Sequence, residues 1–144
     1  MSEKKILFLD IDGVLNNAAS MSEGVHIIPE KCLMIRDICW RTGAKVVVSS
    51  TWRVGRSLDE LQQIFRLMGM GGLIVDVTPW HKTGPRGDEI DHWLKDNTKT
   101  KQYAIVDDDG DMLEEQMPYF VKTESIVGLT TFERDKLIDI LIDL

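Results

Sequence analysis

No apolar run in this sequence approaches the ~20 residues that a membrane-crossing helix needs, so no segment reads as a membrane span. The opening residues MSEKKILFLD are charged and then only briefly apolar, without the long hydrophobic stretch of a secretory signal. Cysteine is scarce. Cys32 and Cys39 stand about two turns apart on a predicted helix, too far to be bridged without distortion. They read as core thiols, and the expectation is a soluble protein of the reducing cytoplasm. Positive charge is the minority sign, with 17 Lys+Arg against 24 Asp+Glu and a net charge of -7. Such a surface disfavours nonspecific binding to nucleic acid or membrane, though it leaves room for a small basic site. Clustered carboxylates also attract divalent cations. His26, His81 and His92 lack zinc-ligand spacing with one another or with cysteine. Repeats, low-complexity tracts and linkers are absent.

What is present suits one domain over residues 1–144, with 43% hydrophobic and 28% charged residues. Lys4–Leu9 reads as a buried strand ending in an aspartate. Asp10–Pro29 reads as a loop. Pro29 opens a helix on which Leu33, Met34, Ile35, Ile38 and Cys39 recur at helical spacing, and Gly43 ends it. Ala44–Ser49 is a second strand. Ser57 and Glu60 form a capping box before a helix with Leu58, Leu61, Ile64, Phe65 and Met68 on one face. A third strand spans Leu73–Val77 and a helix Asp88–Asn97. A fourth strand, Gln102–Val106, ends in three aspartates, and a short fifth runs over Tyr119–Lys122. Thr130 and Glu133 box the last helix. Trp40 and Trp93 fit helix faces as core residues. Strands alternating with helices predict an α/β, Rossmann-like three-layer fold with a mainly parallel five-stranded sheet. Ligands of such sheets bind beyond the carboxyl ends of the strands.

Three of those ends carry unusual polar groups. Asp10-Ile11-Asp12-Gly13-Val14-Leu15 places two carboxylates directly after a buried strand. A carboxylate there is unfavourable unless paired or metal-bound. Two acids one residue apart can divide the work of nucleophile and proton carrier. Ser49-Ser50-Thr51-Trp52-Arg53 offers hydroxyls and backbone N–H groups for a phosphoryl oxygen, with Arg53 as a planar clamp; Ser and Thr are also common helix caps. Lys82 or Arg86, just before a helix, can neutralise a phosphate. Asp107-Asp108-Asp109 follows the fourth strand and suits Mg²⁺, which takes few protein carboxylates. Trp52 and Trp80 lie in or beside these loops, where an indole packs or stacks on a base.

Taken in order, strand-DxDGV, strand-Ser, a basic residue and strand-DD resemble the haloacid dehalogenase (HAD) superfamily of phosphatases over residues 4–109. VVVSSTWR, RGDEIDHWL, AIVDDD and the late Gly128-Leu129-Thr130 are similar to a branch associated with RNA repair and polynucleotide ends. The resemblance implies an aspartyl-phosphate mechanism, with Asp10 as nucleophile and Asp12 as acid/base. It implies phosphate binding by Ser49, and Mg²⁺ held by Asp10, the Asp12 carbonyl, Asp107 and Asp108. The basic role falls to Arg86, where the family usually has lysine, with Lys82 as the alternative. Neither Asp12–Pro29 nor Val77–Asp88 is long enough for the cap domain that many relatives carry, since a folded unit needs ~40 residues. The site is therefore expected to be open, and Arg53, Arg56, Lys82 and Arg86 to form a basic rim for a terminal nucleic-acid phosphate. The alternatives are a small-molecule or phosphoprotein phosphatase, or a non-catalytic receiver-like module. A receiver carries its aspartate after a mid-chain strand, and here that strand ends in Ser49.

Overall fold

The computed structural model describes residues 4–142. Five strands, β1 (Lys4–Leu9), β2 (Lys45–Val48), β3 (Ile74–Val77), β4 (Thr100–Asp107) and β5 (Phe120–Lys122), form one parallel sheet in the order β3-β2-β1-β4-β5. The helices are α1 (Ala18–Ser22), α2 (Pro29–Thr42), α3 (Leu58–Arg66), α4 (Arg86–Asp96) and α5 (Thr131–Leu141). Side chains alternate across β1 because a strand has period two. Leu7 and Leu9 join a core with Ile35, Ile38, Leu61, Phe65 and Leu137 of α2, α3 and α5, while Ile6 and Phe8 face Ile90 and Trp93 of α4. The sheet is thus covered on both faces, as the all-apolar strands require. Trp93 meets Phe8 edge-on at 5.4 Å between ring centroids.

The connections β1–β2 and β2–β3 carry α2 and α3 on one face, whereas the return from β3 to β4 carries α4 on the other. The order therefore reverses between β1 and β4, which lie side by side with Leu9 opposite Val106. In a doubly wound sheet this reversal opens a crevice at the strand ends. Asp10 and Asp107 stand at its two sides.

Both expected capping boxes, Ser57 with Glu60 and Thr130 with Glu133, are formed. Gly43 ends α2 with φ of 81°, a left-handed conformation that glycine adopts without strain. Cys32 and Cys39 are buried free thiols, their pKa pushed up by burial to about 11 and about 12, so they stay protonated and inert. Some expectations need correction. Asp10–Pro29 is not all loop: Asn17 and Ser20 box a five-residue helix, α1. Trp40 is 85% exposed rather than core. It lies ~200° around α2 from Ile38 and ~100° from Cys39, turned away from the sheet. Leu33 and Ile64 are likewise exposed. Between Thr78 and Pro85 there is no helix or strand, so neither connection holds a cap. No helix among the described residues is long and apolar enough to cross a membrane.

Candidate active site

The β1 ladder ends as Asp10 N–H donates to Val106 O at 3.1 Å, which docks the first acid against β4. The chain then turns at Gly13, φ 80°, whose N–H is taken by Asn16 Oδ1 at 2.8 Å. A Cβ at Gly13 would lie 2.1 Å from Asp108 Oδ2, so the glycine both permits the turn and admits the second acid loop. From the far end of the sheet Thr123 Oγ1 donates to Gly13 O at 2.7 Å, and Leu129 N–H donates to Val14 O at 2.8 Å. A Cβ at Gly128 would strike Asn16 O at 2.5 Å. The late Gly128-Leu129-Thr130 segment is thus a buttress for the DxD loop.

One oxygen each of Asp10, Asp107 and Asp108 lies within 4.8 Å of the others. Asp10 and Asp107 are buried, and Asp107 Oδ2 has no hydrogen-bond partner. Burial raises the pKa of both carboxyls; Asp107 rises further from the neighbouring Asp10 charge, and Arg86 opposes both shifts. Protein groups alone leave this cluster short of positive charge. An all-oxygen set of three acids suits a hard divalent ion such as Mg²⁺. Asp109 is exposed and only its N–H turns inward, to Asp107 Oδ1 at 3.0 Å. The Asp12 carboxylate stands outside the acid cluster. It is exposed, and its Oδ1 accepts from Asn16 Nδ2 at 3.0 Å and Trp52 Nε1 at 3.1 Å.

Of the two candidate bases, Arg86 faces the acids. Its Nη1 is 3.6 Å from Asp10 Oδ1 and 3.7 Å from Asp107 Oδ2, and it donates to the Ser49 carbonyl. Lys82 is exposed in the preceding loop. Arg86 opens α4, where its N–H is capped from a distance by Asp111 Oδ2 at 2.8 Å. Ser49 is buried with its Oγ unpartnered, a hydroxyl that a phosphoryl oxygen would satisfy. Ser50, also buried, caps the turn that follows: its Oγ accepts from Trp52 N–H at 3.2 Å.

Arg53, expected as a clamp, is buried and lines the cleft beside Arg86. All five guanidinium donors are consumed inside the protein. Nε donates to Thr78 O at 2.9 Å, and Nη1 to Ser49 O at 3.0 Å and Ser50 O at 2.6 Å. Nη2 donates to Pro79 O at 3.3 Å and pairs with Glu89 Oε1 at 2.8 Å. Glu89 in turn lies 3.6 Å from Arg86 Nε and accepts His81 N–H at 2.7 Å on Oε2. The sequence gives no hint of Glu89's role beyond its place, three residues after Arg86 on one helix face. Of the four residues expected to form a basic rim, Arg53 is buried and Arg86 faces the acids, while Arg56 and Lys82 are exposed.

A cleft of about 150 Å³ adjoins Arg86, lined among others by Thr51, Trp80, His81 and Asp111, and Trp80 is 58% exposed. A separate concavity, about 590 Å³, lies around Trp40 and Gly69 and shares no residue with the acid cluster. The candidate site is taken at the sheet's reversal point, where Ser49, Arg86 and the acids converge.

This fold, with acids at the ends of β1 and β4, Ser49 after β2 and Arg86 opening α4, is that of a HAD-superfamily domain, a class that points to phosphohydrolase activity. The family model of the HAD domain in Swiss Army Knife RNA repair proteins matches residues 6–133, and the chain belongs to that family. No curated protein and no solved structure matches it.

Proposed function

We propose that this protein is a Mg²⁺-dependent phosphomonoesterase that works through an aspartyl-phosphate on Asp10. The observation that carries the reading is the convergence of three groups. Buried Asp10 lies in a three-acid cluster with Asp107 and Asp108, Arg86 stands 3.6 Å away, and the Ser49 hydroxyl is without a partner. Asp10, Asp107 and Asp108, with the Asp12 carbonyl, would hold Mg²⁺, which when bound offsets the charge of the acids and the phosphoryl group.

Ser49 Oγ and Arg86 receive phosphoryl oxygens. An Asp10 carboxylate oxygen forms a bond to phosphorus as the ester P–O bond breaks. Asp12, outside the acid cluster and exposed, gives its proton to the leaving oxygen. The resulting Asp12 carboxylate takes a proton from water, whose oxygen attacks phosphorus and releases phosphate and free Asp10.

The substrate we assign is a terminal phosphate on a polynucleotide. The matched family is described from RNA repair proteins, and no folded unit among the described residues lies over the site. Exposed Trp80 beside the Arg86 cleft offers a face on which a terminal base stacks. The test is phosphate release from 3′- and 5′-phosphorylated oligonucleotides, with and without Mg²⁺, by wild type and Asp10→Asn. Release that requires Mg²⁺ and vanishes in Asp10→Asn is expected. An active Asp10→Asn protein would overturn the assignment.

A further inference from the structure

We propose that Trp52 is the positioning residue that presents Asp12 for proton transfer. This rests on the acid/base role assigned to Asp12 above. Asp12 sits on an exposed turn, and an exposed aspartate turns freely about two torsions. Proton transfer needs one of those orientations, with the acidic oxygen within hydrogen-bond reach of the leaving group. Unlike Asp10, Asp12 forms no ion pair among the described residues that would hold it. It is held instead by two neutral donors, the Trp52 indole N–H at 3.1 Å and the Asn16 amide at 3.0 Å.

Both donors meet the same oxygen, Oδ1, and no hydrogen bond among the described residues falls on Oδ2. An indole N–H and an amide NH₂ can only donate. Oδ1 must therefore accept in both protonation states of Asp12, as carboxylate or as the carbonyl oxygen of the acid. The transferable proton is confined to Oδ2. When the ester bond breaks, the Oδ2–H bond breaks with it and the proton passes to the leaving oxygen. Oδ2 then takes a proton from the attacking water in the second step.

The donors themselves are fixed. Asn16 is buried, accepts Gly13 N–H and donates also to His26 O at 2.9 Å. The Trp52 backbone N–H is tied to Ser50 Oγ, its ring packs at a tilt against Phe65 with centroids 6.4 Å apart, and the Arg56 guanidinium covers it at 5.2 Å while donating to Trp52 O. The indole is thus held at the mouth of the site from the β2 loop, 40 residues away from Asp12 in the chain.

A leaving-group comparison tests this. A nucleoside-linked phosphate leaves as an alkoxide and needs the Asp12 proton; p-nitrophenolate is a weak base and needs it far less. Trp52→Phe keeps the packing on Phe65 and removes the N–H. Its kcat/KM should fall at least about tenfold more on a phosphorylated oligonucleotide than on p-nitrophenyl phosphate, since misplacement by ~1 Å is worth up to ~100-fold. An equal fall on both esters, or none, overturns the positioning role while leaving the phosphatase reading intact, provided that wild type is active and Asp10→Asn inert. A wild-type protein inactive on both esters overturns both. The contact is checked independently in folded protein with Trp52 intact. Among the four tryptophan indole N–H signals in an NMR spectrum, that of Trp52 should move in Asp12→Ala; an unmoved signal removes the proposal even if Trp52→Phe fails to fold.

Discussion

The Arg53 guanidinium meets the Glu89 carboxylate at 2.8 Å, with side chains 3% and 8% exposed. The pair ties the loop after β2 to α4, because Arg53 also holds the carbonyls of Ser49, Ser50, Thr78 and Pro79. Burial pulls the Arg53 pKa down and the Glu89 charge opposes this, so the guanidinium depends on its partner.

Removing one side of a buried pair leaves the other charge uncompensated. Glu89→Ala and Arg53→Ala should each cost about 3–5 kcal/mol of stability. Chemical denaturation measures this. Arg53→Lys should also destabilise, since an ammonium with three donors cannot meet five acceptors. Full stability of Arg53→Lys with a raised KM for phosphate esters would return Arg53 to the role of ligand clamp.

The acids at the reversal point should make stability depend on pH and on Mg²⁺ together. Burial raises Asp10 and Asp107 above the ordinary aspartate value of 3.8. The native state thus holds protons that the unfolded chain has released. The associated stability is fully present below about 3.8 and is lost as pH rises through the raised native values. In chelator, this pair therefore makes the protein less stable at neutral than at mildly acidic pH. Mg²⁺ requires the ionised carboxylates, so its stabilising effect should grow over the same rise. At ~100 times its dissociation constant it contributes about 2.7 kcal/mol, a Tm increase of roughly 5–10 °C for a chain of this size. Thermal scans at two pH values with and without Mg²⁺ check this. An increment independent of pH, or one that persists in Asp107→Asn/Asp108→Asn protein, would remove these acids from the metal site.

The sequence made the acids legible because they sit in short local patterns: DxDG after KKILFL, and DDD after QYAIV. Strand alternation with helices predicts a parallel sheet, and the structure adds the pairing of β1 with β4 that brings Asp10 and Asp107 together. Arg86 and Ser49 were legible for the same reason, each at the edge of a predicted element. The bracing contacts of Arg53 were not legible, because its sequence position, beside Ser49 and Ser50, matches a clamp as well as a brace. Only the carbonyls of Thr78 and Pro79 and the carboxylate of Glu89 decide between them, and those lie 25 or more residues on. Thr123 was missed because its hydroxyl acts 110 residues away, on Gly13 O. Trp40 was misplaced because helical period alone does not mark where a face leaves the sheet.

Substrate choice turns on how few cations remain at the open mouth. Arg53 is spent inside the protein and Arg86 faces the acids, which leaves Arg56 over Trp52 and Lys82 next to the cleft residue His81. With two phosphate contacts, single-strand binding should vary with salt at a log–log slope of about -1.4. The kcat/KM on a phosphorylated oligonucleotide should then fall about sevenfold between ~50 and ~200 mM salt. The matching mononucleotide, which reaches neither cation through a neighbouring phosphate, should be turned over less efficiently and respond weakly. Arg56→Ala/Lys82→Ala should flatten the oligonucleotide's salt response and bring the two substrates together. A slope several times steeper would require cations beyond these two, and the net charge of -7 supplies no broad basic face for them. Better turnover of a free sugar phosphate, insensitive to salt, would assign the open site to small metabolites and remove the polynucleotide end.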